Sequence, residues 1–350
     1  MTGATGTIGG ELAARLLAAG HSIIALTRQG QDITANDGQP VAASNFHGTM
    51  PEPGRLARLS GDICQPGLGL NKDELALLER YVDLVVHCAA VTDFNTGDNV
   101  YQSVNVDGVA HMLAICRNAR FLHVSTAYVC GIRGGLIAEE PAAVQQEFTN
   151  GYERSKAAGE ALVLAANRES VVARPSIVVG AHADGAYPRF DSFYKFFRLL
   201  AEGHISRLPV AEHATLDFVP IDHVIAGLLD IIHHWERAEG TIIHLTAARA
   251  IPVSLLVDAI GQFDHLDPPS LVPLDRFTVD NLPPLERRLY KQFAAFYTAY
   301  LQRDPQFETE NLRRVNGRVC PAMDLAALQR MIRYSIDQGF IRKQRAEYGG

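Results

Sequence analysis

Thr2-Gly3-Ala4-Thr5-Gly6-Thr7-Ile8-Gly9 opens the chain with glycine at every third position, a G-x-x-G-x-x-G pattern. A strand-to-helix turn that receives a dinucleotide pyrophosphate must bring backbone N–H groups close to the anion, and a Cβ at these points would collide. The dipole of the following helix favours the same anion at its N-terminus. Residues 11–19 supply that helix, with Leu12, Leu16 and Leu17 on one face and Gly20 as its stop. Ser22-Ile-Ile-Ala-Leu26 reads as the buried strand beyond it. The glycines alone also suit a generic tight turn. Turn, helix and strand in this order favour the phosphate reading, with Gly3, Thr5, Gly6, Thr7, Ile8 and Gly9 as the contacts.

Only Met1-Thr2 precedes the first glycine, too little for the strand that such a turn follows. That strand is central in sheets of this kind, and its loss exposes strand edges and removes core. The expectation is that the natural polypeptide starts upstream and supplies it.

Outward from the turn, short apolar runs alternate with helical patterns through the first 180 residues, as βαβ units on a parallel sheet do. Asn71-Lys-Asp-Glu74 is a capping box that opens a helix to about residue 81. Residues 83–87 and 121–125 read as strands, with a helix over 100–118 between them. A helix over 151–168 and a strand over 170–174 follow. Residues 29–54 are rich in Gly, Pro, Asn, Asp and Ser without helical period, and read as a long loop where a helix would be usual. After Gly180 the pattern is mostly helical: 191–203, 221–235, 252–263, 283–302 and 324–338, with a strand at 241–245. Leu289, Phe293, Phe296 and Tyr300 recur at helical spacing, which suits core packing or the wall of an acyl site. The expected fold is α/β: a Rossmann-type doubly wound parallel sheet with a smaller, mostly helical C-terminal lobe. Residues 1–180, with contributions from about 216–246, would bind the cofactor, and 181–350 would form the substrate lobe.

The end of the second strand discriminates between cofactors. An acid there would bind the ribose 2′-hydroxyl of NAD, and an arginine would accommodate the 2′-phosphate of NADP. This chain has Leu26-Thr27-Arg28-Gln29 and no acid until Asp32. Arg28 therefore favours NADP, since a cation paired with phosphate is a strong charge-assisted contact. In Gly61-Asp62-Ile63 the acid can accept from the adenine amino group while Ile63 packs on the ring. Ala89-Ala90, at a strand end, leave room for cofactor.

Asn150-Gly-Tyr152-Glu-Arg-Ser-Lys156 carries the chemistry. Tyr152 and Lys156 are four apart and share one helix face. A carbonyl that accepts hydride also needs a proton on its oxygen, and a free phenol with pKa about 10 is a poor acid. A neighbouring ammonium and an oxidised nicotinamide would lower that pKa. Lys156 can also hold the nicotinamide ribose. A hydroxyl to orient the carbonyl stands in Ser125-Thr126, at the end of a strand where an α/β sheet places its site.

The 350 residues suit one large or two modest domains, and 47% hydrophobic with 20% charged residues is an ordinary globular balance. A formal net charge of -7 disfavours non-specific nucleic-acid binding. The sequence shows no cationic, apolar leader and no run approaching about 18 apolar residues, which argues against a signal peptide or a membrane span. Five scattered cysteines without a C-x-x-C pair fit reduced thiols in a cytoplasm and not a zinc site. His233-His234 and the other histidines lack metal-ligand spacing, so no metal is expected. Oligomeric state has no signal in the sequence.

Over about residues 1–250 the chain resembles the extended short-chain dehydrogenase/reductase family. The resemblance rests on Thr2–Gly9, Gly61-Asp-Ile63, Val86-His-Cys-Ala-Ala90, Asn105-Val-Asp-Gly108, Val124-Ser-Thr-Ala127, the Tyr152/Lys156 pair and Arg174-Pro175. It implies Thr126, four residues before Cys130, as the strand-end hydroxyl with Ser125 as its neighbour. It also implies that Pro175, Ser176, Ile177 and Val178 lie beside the nicotinamide. Within that family the chain is most similar to thioester reductases and the fatty acyl-CoA reductase ("male sterility") group, through residues 61–70, 150–156 and Leu216-Asp-Phe-Val-Pro-Ile-Asp-His223. That likeness implies NADPH-dependent reduction of an acyl thioester, on CoA or an acyl carrier protein, to an aldehyde or alcohol. A ketone or aldehyde carbonyl reductase, or a hydroxysteroid-type dehydrogenase, is the alternative. A non-catalytic NADP-binding regulator is disfavoured by the intact Thr126, Tyr152 and Lys156.

Overall fold

The computed structural model describes residues 1–342 except Gln29, Val144 and Ser192. The strands that matter for the site are β1 (Ile23–Thr27), β2 (Ser44–Asn45), β3 (Leu56–Ser60), β4 (Leu84–His87), β5 (Arg120–Val124), β6 (Gly135–Ile137), β7 (Ser170–Pro175), β8 (Ile177–Val179), β9 (Arg207–Pro209), β10 (Thr215–Leu216), β11 (Phe218–Pro220) and β12 (Ile242–Leu245). Two groups, β2-β3-β1 and β4-β5-β7-β12, are parallel at every pairing. Thr2 spans the gap between them, bridging Leu26 on one side and His87 on the other. Its N–H donates to the Val86 carbonyl at 2.9 Å, and Leu26 N–H donates to the Met1 carbonyl at 2.9 Å. The amino terminus itself donates to the Ile24 carbonyl at 2.7 Å. Met1 and Thr2 thus occupy the position of a central strand in a Rossmann-type sheet.

Side chains alternate across the strands, so each strand feeds two cores. Val86, Leu122 and Val124 point into a core with Leu12, Leu16, Val224 and Leu228, from α1 (Thr7–Ala18) and a later helix, Ile221–His233. Val85, Phe121 and Val172 point into the opposite core with Val109, Met112 and Val163. α1 begins at Thr7, four residues before the patterned residues 11–19, because Gly9 and Gly10 sit inside its first turns. α2 (Lys72–Tyr81) carries the complete capping box: Asn71 Oδ1 accepts from Asp73 and Glu74 N–H, and Glu74 accepts from Asn71 N–H.

The helix expected over 100–118 is α3 (Asp98–Tyr101) and α4 (Gly108–Leu113), joined by a π-helical stretch, Gln102–Asp107. It stops at Leu113, and Cys116 then adopts a positive φ of 50°. Beyond it, α5 (Gly151–Ala165) is capped by Asn150 Oδ1, which accepts from Glu153 N–H at 2.9 Å. Residues 29–54 hold no helix among those described. Their start is tied down, with Ile33 buried and Asn36 N–H donating to Glu11 Oε2 at 2.7 Å. The C-terminal helical stretch over 284–302 also contains a π turn, Tyr290–Ala294. That extra residue per turn shifts the buried face to Tyr290, Ala294, Tyr300 and Leu301 and leaves Phe293 43% exposed, unlike the expected stripe. No helix among the described residues is long and apolar enough to cross a membrane.

Candidate active site

The carboxyl ends of β1, β4, β5 and β7 open onto one cleft of about 530 Å³. Such a crevice beside the central strand is where open α/β sheets bind ligands. All the residues expected from the sequence line it: Gly3, Thr5, Gly6, Thr7, Ile8, Gly9, Arg28, Asp62, Ile63, Ala89, Ala90, Thr126, Tyr152, Lys156, Pro175, Ser176, Ile177 and Val178.

The glycine turn is closed by backbone. A Cβ on Gly9 would lie 2.1 Å from the Gly3 carbonyl oxygen, and one on Gly3 would lie 2.6 Å from Ala89 N. A Cβ on Gly6 meets nothing nearer than the Gly3 carbonyl oxygen at 3.3 Å. Gly9 and Gly3 are thus dictated by chain packing, and Gly6 stands at the start of α1 beside the cleft. The first turn of α1 lines that space through Thr7, Ile8 and Gly9, and Gly6 itself gives α1 no side-chain cap. A bare helix start of this kind accepts an anion, so the turn fits a pyrophosphate. At the adenosine end Arg28 is exposed and makes no ion pair among the described residues, whereas Asp32 stands 3.6 Å from Arg58. One Asp62 oxygen accepts from Cys64 N–H at 3.0 Å, which closes a local turn.

Thr126 ends the β5 loop. Its hydroxyl donates to the Pro175 carbonyl at 3.3 Å and accepts from Tyr128 N–H at 3.3 Å, and it stands close enough to the Tyr152 hydroxyl to favour the phenolate. Tyr152 stands in the first turn of α5, against Phe94 at 5.6 Å between ring centres. Burial pushes its phenol up to about 12; the Thr126 hydroxyl opposes this, and Glu153 and Tyr101 add to it. Lys156 lies one turn on, buried, with its ammonium on the Val124 carbonyl at 2.8 Å. Burial brings its pKa down to about 8, against Glu160 and Cys88. The ammonium gives one of its three protons to a strand-end carbonyl, and burial is the largest influence on the Tyr152 phenol.

The π stretch has a local consequence. It turns Asn105 inward, where Oδ1 accepts from Val91 N–H at 2.8 Å and Nδ2 donates to the Val91 carbonyl at 3.1 Å and to Ser155 Oγ at 2.9 Å. This buried amide ties the loop carrying Ala89 and Ala90 to the helix carrying Tyr152. π turns often mark functional sites for this reason.

Beyond Tyr152 the cleft becomes aromatic: Phe94, Tyr128, Phe196, Tyr297 and Tyr300 line it, with Arg189 and Asp191 as polar exceptions. Phe94 and Tyr300 rings are parallel at 5.8 Å, and Phe196 and Tyr297 at 4.7 Å. Tyr300 belongs to the aromatic stripe noticed in the sequence. Phe94 and Phe196 had no signal there, because neither lies in a motif. Among the described residues no three His, Cys, Asp or Glu side chains could share a metal ion.

A family described as male sterility protein, an NAD-binding family, matches residues 1–228. The chain belongs to that family. It is therefore an NAD(P)-dependent reductase of the extended short-chain dehydrogenase/reductase type. It is 31% identical over 265 residues to a dTDP-4-dehydrorhamnose reductase of Mycobacterium tuberculosis, covering 72% of this chain and 73% of that one. It is 22% identical over 314 residues to aldehyde reductase lnaA of Aspergillus flavus, covering 80% of this chain but only 30% of that protein's length. Among solved structures, the terminal R domain from the myxalamid PKS-NRPS biosynthetic pathway superposes with a TM-score of 0.81 at 20% identity, over 98% of this chain and 91% of that domain, which shows a shared fold.

Proposed function

We propose that this family member reduces an acyl thioester, carried on CoA or on an acyl carrier protein, to an aldehyde, with NADPH as reductant. The observation that carries the reading is the Thr126–Tyr152 hydroxyl pair, set where the glycine-turn cleft passes into an aromatic-walled pocket. The likeness to an aldehyde reductase and to a PKS-NRPS terminal domain supports the thioester class. Arg28, with Asp32 turned to Arg58, supports NADPH over NADH.

The bound cofactor would supply the hydride. Gly3 to Gly9 would hold its pyrophosphate, Arg28 its 2′-phosphate, Asp62 and Ile63 its adenine, and Pro175 to Val178 its nicotinamide. Thr126 would turn its one hydroxyl proton from the Pro175 carbonyl to the substrate carbonyl and so orient it. Tyr152 gives its phenolic proton to the carbonyl oxygen as the carbon is reduced. Burial that pushes this phenol up to about 12 keeps it protonated but makes it a weaker acid, so the transfer relies on stabilisation of the phenolate as it forms. The buried Lys156 ammonium stabilises the phenolate left behind. The resulting hemithioacetal loses its thiol and leaves the aldehyde. Residues 181–350 are proposed as the substrate lobe, which brings Phe196, Tyr297 and Tyr300 to the acyl group.

The relative at 31% identity is named for a keto-sugar substrate, which favours carbonyl reduction as the second reading. NADPH and NADH oxidation against a panel of acyl-CoA thioesters, aldehydes and ketones separates the two. The thioester reading expects thiol release stoichiometric with the first NADPH oxidised, and oxidation confined to ketones overturns it. Tyr152→Phe is expected to lose turnover by about 10²-fold or more while still binding cofactor. Retained turnover would refute the proton-donor role.

A further inference from the structure

The Leu216–His223 stretch contains an acid that lines no part of the cleft yet touches the segments that do. Asp217, between β10 and β11, is 2% exposed. Its Oδ1 accepts from Ser176 Oγ at 2.5 Å and from Ala247 N–H at 2.9 Å. Its main-chain carbonyl accepts from Ile177 N–H at 3.1 Å. Ser176 N–H in turn donates to the Leu245 carbonyl at 3.3 Å, and the Pro175 carbonyl takes the Thr126 hydroxyl.

No cation pairs with Asp217 among the described residues. A buried carboxylate without a counter-ion is costly, and it is tolerated only where donors meet its oxygens. An apolar residue would fold at this point more cheaply. The carboxylate gives β8 a fixed side-chain anchor just where its first residues face the cleft. Ser176 cannot swing toward the cleft without leaving Asp217 Oδ1, and Pro175 cannot shift without disturbing Thr126.

We propose that Asp217 is a positioning residue for the nicotinamide end of the site: through Ser176 it locks Pro175–Val178 in place, and through the Pro175 carbonyl it sets the direction of the Thr126 hydroxyl. This rests on the reading of the cleft as a nicotinamide dinucleotide site. Nothing in the resemblance assigns Asp217 a role.

The test uses the full chain and its Asp217→Ala, Asp217→Asn, Ser176→Ala and Asp217→Ala/Ser176→Ala variants. Calorimetry compares NADPH with 2′-phospho-ADP-ribose, which has the adenosine and phosphates but lacks the nicotinamide. The expected result is about tenfold weaker NADPH binding in Asp217→Ala, the worth of one buried hydrogen bond, with the fragment bound as in wild type. Ser176→Ala should reproduce the loss and the double variant should add nothing further, since both break one connection. Asp217→Asn, whose amide oxygen still accepts, should recover part of it. Equal losses for both ligands indicate general damage and overturn the proposal, as does an unchanged NADPH affinity or additive losses in the double variant. If Asp217→Ala does not fold, Ser176→Ala carries the same comparison. Wild-type protein that binds neither ligand removes the cofactor reading, and the positioning role falls with it. Wild-type binding with no variant effect removes only the positioning role.

Discussion

Arg303→Met should destabilise the protein far more than replacing Arg303 and its partner together. Arg303 reaches from the C-terminal part of the chain to Glu153, the residue next to Tyr152, with Nη2 donating to Oε1 at 2.8 Å. Glu153 is fully buried and the Arg303 side chain is 6% exposed. The second Glu153 oxygen accepts from Thr149 N–H at 3.0 Å, and the guanidinium lies over Tyr128 at 5.2 Å and Tyr300 at 4.7 Å. Methionine keeps much of the volume but leaves a carboxylate buried without its cation. Stranding one member of a buried ion pair costs about 3–5 kcal/mol. The two lost cation–π contacts add about 1–2 kcal/mol together.

At about 2 °C per kcal/mol for a chain of this length, the sum predicts a fall in Tm of about 8–14 °C. In Glu153→Gln/Arg303→Met no buried charge remains, and neutral replacement of such a pair is often close to energetically neutral. Calorimetric unfolding of wild type, both single variants and the double at pH 7.5 gives the coupling directly. The double variant is expected to regain most of the loss of Arg303→Met, staying within about 4 °C of wild type. If Arg303→Met melts no lower than the double variant, the pair is not electrostatically coupled and the reasoning fails.

Arg28→Ala is expected to weaken NADPH binding by about ten- to a hundredfold and leave NADH unchanged, because only the 2′-phosphate meets the guanidinium; equal wild-type affinities by titration would refute the NADPH assignment. Gly9→Ala, whose Cβ would lie 2.1 Å from the Gly3 carbonyl oxygen, should lower the urea midpoint by an amount equal to about 1–3 kcal/mol. Gly6→Ala should nearly keep that midpoint yet lose cofactor affinity, and the reverse pattern would contradict the anion role of Gly6. Burial brings the Lys156 pKa down to about 8 from an ordinary 10.5, so above pH 8 the native state loses this proton before the unfolded chain does. The cost of the buried ammonium is therefore present at pH 7 and relieved as pH rises toward 10.5, by about 3 kcal/mol in all. Lys156→Met should accordingly be more stable than wild type at pH 7, with a gap that narrows by pH 10, while wild-type kcat falls above pH 8; a gap that widens would show the sign to be wrong.

Local chemistry made much of this molecule legible. Asn71 and Glu74 cap a helix because their side chains find N–H groups three residues away, and the chain alone encodes that. Gly3, Gly6 and Gly9 announce a turn because no other residue fits it, and Tyr152 and Lys156 share a face by helical period alone. The errors came where a helix left its period. An i→i+5 turn at Gln102–Asp107 and another at Tyr290–Ala294 each insert a residue that hydrophobic spacing cannot reveal. Phe293 consequently faces outward while Tyr290 and Ala294 are buried. At Cys116 the chain turns with positive φ and no glycine or proline to mark it.

The connections that hold the site in shape were invisible for a different reason. Glu153 reads as an ordinary solvent-facing acid in Tyr-Glu-Arg-Ser, and its partner Arg303 is 150 residues away. Asp217 sits between β10 and β11 in an apolar stretch where alternation would assign a polar side chain to solvent, yet it is buried, as is every residue of β11. In both cases a charge stands where local pattern has no use for it, and the structure brings a distant donor to meet it. Such departures concentrate around function, since a site must fix groups that a packing-optimised chain would leave free. Asp217 behind Ser176 and Arg303 behind Glu153 reach the Thr126–Tyr152 pair by different routes, one through the strand that lines the cleft and one through the helix that carries Tyr152. The placement of two buried acids, neither of which lines the cleft, argues that its geometry is held from beneath, by side chains whose cost in stability is offset by the fixed direction of two hydroxyls.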